Sequence, residues 1–126
     1  MEREEFVTLR KILKKTQVQM AQLLGISLKA IHSYEQGWRD IPAHAERQLL
    51  FLAAMVHGKR GRKTACWVLK DCPENKKKRC PAWEFKAGSM CWFINGNICE
   101  GIVHKKWQDK IQICRSCVVF QSVLGF

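Results

Sequence analysis

The chain has 126 residues, 47% of them hydrophobic, and a formal net charge of +11, which allows one ordinary domain or two very small ones. This charge favours an anionic partner, most often nucleic acid for a small basic protein, with a membrane surface as the alternative. Met1 to Lys11 is too charged for a targeting signal, and the longest apolar run, Leu49 to Val56, is too short to span a bilayer, so we expect a cytoplasmic protein without a membrane partner.

Apolar residues in the first half recur with a helical period of about 3.6 residues, which predicts four helices. Polar caps and glycine stops mark the two central ones: Thr16 and Ser27 precede, and Gly25 and Gly37 follow, helices predicted over 17–24 and 28–36. Pro42 stands where a fourth helix, through about residue 56, would begin. The first half therefore predicts a small helical bundle with a tight turn at its centre.

The third predicted helix is divided into two faces. At about 100° per residue, one arc of about 140° contains Leu28, Lys29, His32 and Ser33. Ile31 and Tyr34 lie on the opposite side. A recognition helix needs this division, because one face packs while short polar or basic side chains reach base edges in the major groove. A structural helical bundle would show the same periodicity.

The stretch from Thr16 to Pro42, TQVQMAQLLGISLKAIHSYEQGWRDIP, resembles the lambda-repressor/Cro-like (XRE-type) helix-turn-helix over about residues 4–56. Six features match in order: Gln17, Met20-Ala21, Gly25, Ser27, Tyr34-Glu35 and Gly37. The resemblance implies binding to double-stranded DNA as a homodimer. It implies DNA contacts from Gln17, Ser27, Leu28, Lys29, His32, Ser33 and Arg39. Glu35 is expected to make a structural hydrogen bond or ion pair.

The composition changes after residue 57. Residues 58–64 are glycine-broken and basic, which predicts a linker between a domain at 1–57 and a second at 65–126. Charge follows this division: residues 1–58 carry eight Lys/Arg against six Asp/Glu, and residues 59–126 carry fourteen against five. Most of the positive charge thus belongs to the second half.

Asn95-Gly96 is the clearest local signal in the second half. Flanked by the apolar runs 90–94 and 97–99, it predicts a β-hairpin. A two-residue turn would set Cys99 opposite Trp92, whereas a bulged turn would bring Cys99 to the face of Cys91. We expect a small, irregular α+β domain with this hairpin, joined to the mainly α first domain of four or five helices.

All seven cysteines lie in the second half, and we expect them to be metal ligands: Cys66, Cys72, Cys80, Cys91, Cys99, Cys114 and Cys117. Disulfides are rare in the cytoplasm, and a domain this small usually needs an additional stabilising element. Cys114 and Cys117 have the two-residue gap of a metal knuckle. Four thiolates would bind one zinc ion or one [4Fe-4S] cluster. Any single cysteine can also be a small buried hydrophobe.

The second half also resembles the bacterial "two-CW" cysteine-rich domain. The resemblance rests on two Cys-Trp pairs, Cys66-Trp67 and Cys91-Trp92, together with the CPA at 80–82 and the final CxxC at 114–117. In its known occurrences this domain is alone or fused to sensory and DNA-binding modules. The resemblance does not identify what the domain binds.

These patterns leave three hypotheses about function, and none of them is an enzyme, because no catalytic motif is visible. The first is a DNA-binding transcriptional regulator whose cysteine-rich domain senses redox state or metal. The second is such a regulator with a purely structural zinc module that serves dimerisation or docking of a protein partner. The third is an electron-transfer protein that uses its helical half for docking.

Overall fold

A computed structural model describes residues 1–57, 68, 71–99 and 102–124 of the chain. The fold consists of two compact units, one from Met1 to Val56 and the other within His57–Phe126. The predicted linker at 58–64 and the predicted ligand Cys66 lie outside the described residues. In the described part of the chain, no helix has both the length and the apolar character needed to cross a membrane.

The first unit is built from helices α1 (Arg3–Ile12), α2 (Gln17–Leu24), α3 (Leu28–Gln36) and α4 (Ala43–His57). Both α1 and α2 pack against α3. Phe6 of α1 meets Tyr34 of α3 edge to face, with ring centroids 5.9 Å apart. The buried core is Phe6, Leu9, Met20, Ala21, Leu24, Ala30, Ile31, Tyr34, Ile41, Ala45, Leu49, Leu50, Ala53 and Ala54. The core residues of each helix lie on one side of it, as the helical spacing of apolar residues in the sequence predicts.

Local chemistry sets the ends of α2 and α3. The Thr16 hydroxyl accepts a bond from the Gln19 amide, and the Gln19 side chain accepts one from the Thr16 amide in return. Ser27 caps α3 by accepting a bond from the Ala30 amide at 3.1 Å. Gly25 and Gly37 end the two helices in the left-handed conformation, with φ of 67° and 79°. The predicted bounds of both helices are therefore confirmed.

The described residues of the second unit form three single-turn helices, a hairpin and two longer helices between residues 71 and 124. The short helices are α5 (Glu74–Lys77), α6 (Pro81–Glu84) and α7 (Cys91–Ile94). Strands β1 (Ile98–Cys99) and β2 (Ile102–Val103) pair antiparallel, and α8 (Trp107–Arg115) and α9 (Val118–Leu124) follow. Helix α6 packs on α7, and α8 packs on α9. The predicted fold class, mainly helical with one small two-stranded hairpin, is confirmed.

The hairpin lies a few residues later than the sequence indicates. Ile98 pairs with Val103 and Cys99 with Ile102. Residues 91–94, predicted as a strand, form α7 instead. The Asn-Gly pair ends this helix, because Asn95 is its C-cap and Gly96 has φ of 57°. The turn predicted at Asn95-Gly96 is thus a helix stop, and neither hairpin register proposed for Cys91 and Cys99 applies.

Candidate functional site

Helix α3 presents an exposed face on the first unit. Leu28, Lys29 and His32 are exposed, whereas Ile31 and Tyr34 are buried against α1 and α2. Ser27, at the start of the helix, is also exposed, although its hydroxyl already accepts the capping bond. The side chains at the amino-terminal end of α3 are therefore accessible to a ligand.

Ser33 departs from the predicted division of α3. It is only 6% exposed, and its hydroxyl donates to the Lys29 carbonyl at 3.0 Å. Ser33 lies at the edge of the predicted arc, and the amides of Trp38 and Arg39 both donate to its carbonyl oxygen. The expectation that Ser33 lies on the free face is wrong, and the accessible face is Leu28, Lys29 and His32.

A chain of hydrogen bonds connects this face to the interior of the unit. His32 Nε2 lies 2.9 Å from Gln17 Oε1, and Gln17 Nε2 donates to Glu35 Oε2 at 3.0 Å. Arg10 Nη2 donates to Glu35 Oε1 at 2.9 Å, in an ion pair that is largely buried. Glu35 therefore has the structural role that the sequence predicts. Because the amide nitrogen of Gln17 is committed to Glu35, its oxygen accepts from His32, and both side chains are held in fixed orientations.

Arg39 lies beyond the carboxyl end of α3, whereas Ser27 caps its amino end. The nine residues of α3 span about 13 Å, so Arg39 and Lys29 would reach different points on any one ligand. Arg39 is exposed, and Trp38 beside it is 75% exposed. The structure therefore places Arg39 apart from the other predicted contact residues.

Lys14 and Lys15 are further candidates that sequence reasoning does not single out. Both are exposed in the turn between α1 and α2, immediately before the capped start of α2. The first amides of a helix attract anions, and adjacent lysines strengthen that attraction. Their position directly before a Thr-capped helix is the signal that identifies them.

In the second unit, one lysine interacts with cysteines from three different elements. Cys91 of α7, Cys99 of β1 and Cys114 of α8 all interact electrostatically with Lys110 of α8. Cys99 and Cys114 share a hydrogen bond, and Cys114 also bonds to Lys110. Cys91 and Cys99 thus both interact with Lys110, and since residues 91–94 form α7 they are not paired across a hairpin.

A second contact group extends this set of cysteines. Cys80, Cys91 and Cys117 pack against the buried pair Ala82 and Val119. The Asn95 amide nitrogen lies 3.5 Å from Cys80 Sγ, to which it donates. The five cysteines of the two contact groups, hereafter the thiol cluster, are Cys80, Cys91, Cys99, Cys114 and Cys117. Cys72 is half-buried, and none of the six described cysteines forms a disulfide.

Burial shifts both titratable partners at the centre of the thiol cluster. It lowers the pKa of the Lys110 ammonium, and the Cys114 thiol opposes this shift. The hydrogen bond shared with Cys99, together with burial, raises the pKa of the Cys114 thiol. Both groups are thus biased toward their neutral forms.

The donor chemistry of the thiol cluster fits a soft metal. Sulfur ligands without carboxylates are typical of zinc and iron–sulfur sites. Trp92 Nε1 is a buried hydrogen-bond donor with no acceptor among the described residues. Within the described ranges, however, no three His, Cys, Asp or Glu side chains converge closely enough to hold an ion. Metal binding would require the sulfurs to draw together.

Comparison of the chain with protein-family models, with curated proteins and with solved structures finds no match.

Proposed function

We propose that the chain is a sequence-specific, DNA-binding transcriptional regulator that acts in the cytoplasm as a homodimer. The observation that carries the proposal is the exposed face of α3, where Leu28, Lys29 and His32 project from a helix packed on its opposite side. A lysine can donate to guanine, and an aliphatic side chain can contact the methyl group of thymine.

The fixed orientation of Gln17 and His32 supports this proposal. Side chains that read base edges discriminate best when their rotamers are locked before binding. The bonds from Arg10 and Gln17 to Glu35 supply that support from within the unit. A solvated helical face that binds no ligand would not need side chains held in fixed orientations.

We further propose that the thiol cluster binds zinc or a [4Fe-4S] cluster and thereby orders the second unit. Cys91, Cys99 and Cys114 would be ligands, with a fourth from Cys80 or Cys117. The bound group would supply either a structural cross-link or redox activity. A redox-active group would make the chain a sensor, whereas zinc would make the second unit a structural or partner-docking module.

A second candidate function, electron transfer, is favoured by the thiol cluster alone. Its signature would be a broad visible absorbance with reversible reduction and no DNA binding. The spectrum and metal content of anaerobically purified protein, measured beside a DNA-binding assay, distinguish the two functions.

Selection of binding sites from random duplex DNA with the full chain tests the regulator proposal. Lys29→Ala should weaken binding to the selected site by about 1–3 kcal/mol and relax the preference at one base position. Lys105→Ala is the matched control, since it removes the same charge from an exposed position in the second unit. If selection yields no preferred sequence, or if a folded Lys29→Ala chain binds the site as tightly as the native chain, the assignment of α3 as a recognition helix fails.

A further inference from the structure

Two lysines and a tryptophan form a small cationic cluster in the second unit. Lys77 is the last residue of α5, and its Nζ lies 4.9 Å from the ring centroid of Trp83 in α6. The Nζ of Lys86 lies 3.8 Å from the same centroid. Lys86 is exposed, whereas Lys77 and Trp83 are half-buried. These three residues, hereafter the Trp83 site, place two ammonium groups over one aromatic ring.

The backbone fixes Lys86 beside the ring. Helix α6 ends in a Schellman motif, in which the Lys86 amide donates to the Trp83 carbonyl at 3.2 Å. The Ala87 amide donates to the Ala82 carbonyl at 2.8 Å. Lys86 has the left-handed conformation of this motif, with φ of 53°. Glycine is the usual residue there, because a Cβ carries a steric cost. What a lysine adds at this position is an ammonium group over Trp83.

Neighbouring carboxylates do not balance the charge of the Trp83 site. Residues 74–86 carry five basic and two acidic side chains. Lys77 pairs with Glu74 at 3.5 Å, and the Glu74 side chain is 77% exposed, so this pair is weak. Among the ion pairs of the described residues, none includes Lys86. Two neighbouring ammonium groups repel each other, and an anion that bridges them removes the repulsion.

The ring also prepares the two lysines for an anion. Fixing a long lysine side chain on binding costs conformational entropy. Contact with the face of Trp83 restricts both side chains before a ligand arrives. A phosphate has several oxygens and can accept hydrogen bonds from two ammonium groups at once. Because two charges cover the ring, this surface suits a phosphate backbone better than insertion into a lipid layer.

We propose that Lys77 and Lys86, positioned by Trp83, bind the phosphate backbone of duplex DNA. This inference rests on the proposed DNA-binding function, and it adds a contact in the second unit that does not depend on base sequence. Phosphate contacts supply affinity and leave the choice of sequence to base contacts.

The test measures binding of the full chain to a short duplex of random sequence, by fluorescence anisotropy at a series of salt concentrations. Lys77→Gln and Lys86→Gln each remove one charge and keep a polar side chain. We expect each to lower the slope of log affinity against log salt concentration by about 0.9 and to weaken binding about five- to tenfold at ~0.1 M salt.

Lys105→Gln is the matched control, since it removes the same charge from an exposed position in the second unit. It should change neither the slope nor the affinity. Equal losses in Lys105→Gln and Lys86→Gln would show that only the total charge matters, and the Trp83 site would be overturned.

The role of the ring is tested at constant net charge. Trp83→Leu should weaken binding about two- to fivefold and keep the salt slope, because the same phosphates are neutralised by less restricted lysines. Trp83→Phe keeps an aromatic face and should restore most of the affinity. Native-like binding of Trp83→Leu would overturn the positioning role of the ring.

Thermal unfolding separates DNA binding from folding. Lys86→Gly removes the ammonium group and relieves the left-handed backbone, so it should be about as stable as the native chain and bind DNA as weakly as Lys86→Gln. Loss of binding only in those variants that are also less stable would make the two lysines structural and overturn the inference.

The phosphate contact and the regulator proposal fail in different ways. If the lysine variants bind the random duplex as the native chain does, with the same salt slope, the phosphate contact is overturned whatever sequence preference the chain shows. If they lose affinity as expected but selection yields no preferred sequence, the regulator proposal fails and the phosphate contact stands. If the variants lose binding to phosphatidylserine vesicles and not to DNA, the site serves a membrane surface and the inference is overturned.

Discussion

The Arg10–Glu35 ion pair ties α1 to α3 directly behind the exposed face of α3. Glu35 also accepts the bond from Gln17, so one carboxylate joins three helices. Both side chains of the pair are largely buried. At such a site each partner needs the other, because an uncompensated charge would be left in a poorly solvated place.

Removing one partner should therefore destabilise the first unit. We expect Glu35→Ala to lower the free energy of unfolding by about 3 kcal/mol, because Arg10 loses its anion and Gln17 its acceptor. The measurement is urea denaturation of the full chain, followed by circular dichroism. Glu4→Ala, which breaks the exposed Arg3–Glu4 pair, is the control and should have little effect.

The double variant Arg10→Met/Glu35→Leu distinguishes a lost ion pair from lost packing. It removes both charges and should recover much of the stability that Glu35→Ala loses. A double variant as unstable as the single one would show that the carboxylate stabilises the unit mainly through Gln17 and local packing.

For the individual helices and strands, the two halves of the chain differ in how far the local sequence determines where each element begins and ends. Thr16, Gly25, Ser27 and Gly37 specify the ends of α2 and α3 by bonds to nearby amides and by backbone conformation. Such signals are local, and therefore they can be predicted. The exposed face of α3 was predictable for the same reason, except at Ser33, which lies at the edge of the predicted arc and is buried.

The second half depends on contacts that are distant in sequence. The helical spacing of Trp107, Ile111 and Cys114 is present in α8, but Lys110 interrupts it and makes the face look polar. The run at 91–94 suits a strand as well as a helix, and packing of Trp92 against Phe120, with centroids 5.7 Å apart, fixes the helix. The grouping of the cysteines follows from these elements, so their spacing alone did not predict it.

The glycine stops of the first unit give a prediction at this scale. Gly25 has φ of 67°, and a Cβ there would meet nothing within 4 Å. Gly25→Ala should therefore cost about 1–2 kcal/mol of stability through backbone strain alone. Gly25→Asn should cost less, because asparagine tolerates the left-handed conformation. Thermal unfolding of the full chain measures both, and equal losses would indicate a packing defect.

At the scale of the whole molecule, the charge is divided unequally between the two halves. The proposed DNA-reading half carries a net +2 and residues 59–126 carry +9, from the counts of basic and acidic residues in each. If the chain binds DNA as proposed, attraction to phosphate at long range would come mainly from the second half, whereas base contacts would come from α3. The proposal thus assigns DNA affinity and sequence specificity to different parts of the chain.

Binding should accordingly depend strongly on salt and involve two copies of the chain. Each phosphate neutralised contributes about 0.9 to the slope of log affinity against log salt concentration. A single α3 reads few base pairs, so we expect a footprint with two half-sites about 34 Å apart. Footprinting and analytical ultracentrifugation test this. A monomer that protects one short half-site would contradict the dimer.

The thiol cluster should affect DNA binding through the order of the second unit. A bound metal would stabilise that unit, because it would neutralise thiolates that otherwise repel one another. Loss of the metal should loosen the second unit and the placement of its basic charge, while the first unit keeps its own core. The expected result is weaker operator binding with helical content of the first unit retained. A coupling of about 1–3 kcal/mol would be enough for a switch.

The decisive comparison uses one operator and one salt concentration. Affinity is measured for anaerobic metal-loaded protein, for air-exposed protein and for a Cys114→Ser/Cys117→Ser variant, with circular dichroism of each. If the chain is a sensor, the metal-loaded form should bind the operator more tightly than the other two forms. If the metal is a structural zinc, air exposure should leave operator affinity unchanged, and only the cysteine variant should bind the operator more weakly. Equal affinity of all three forms would show that the second unit does not control DNA binding, and its thiol cluster would then serve stability or another partner.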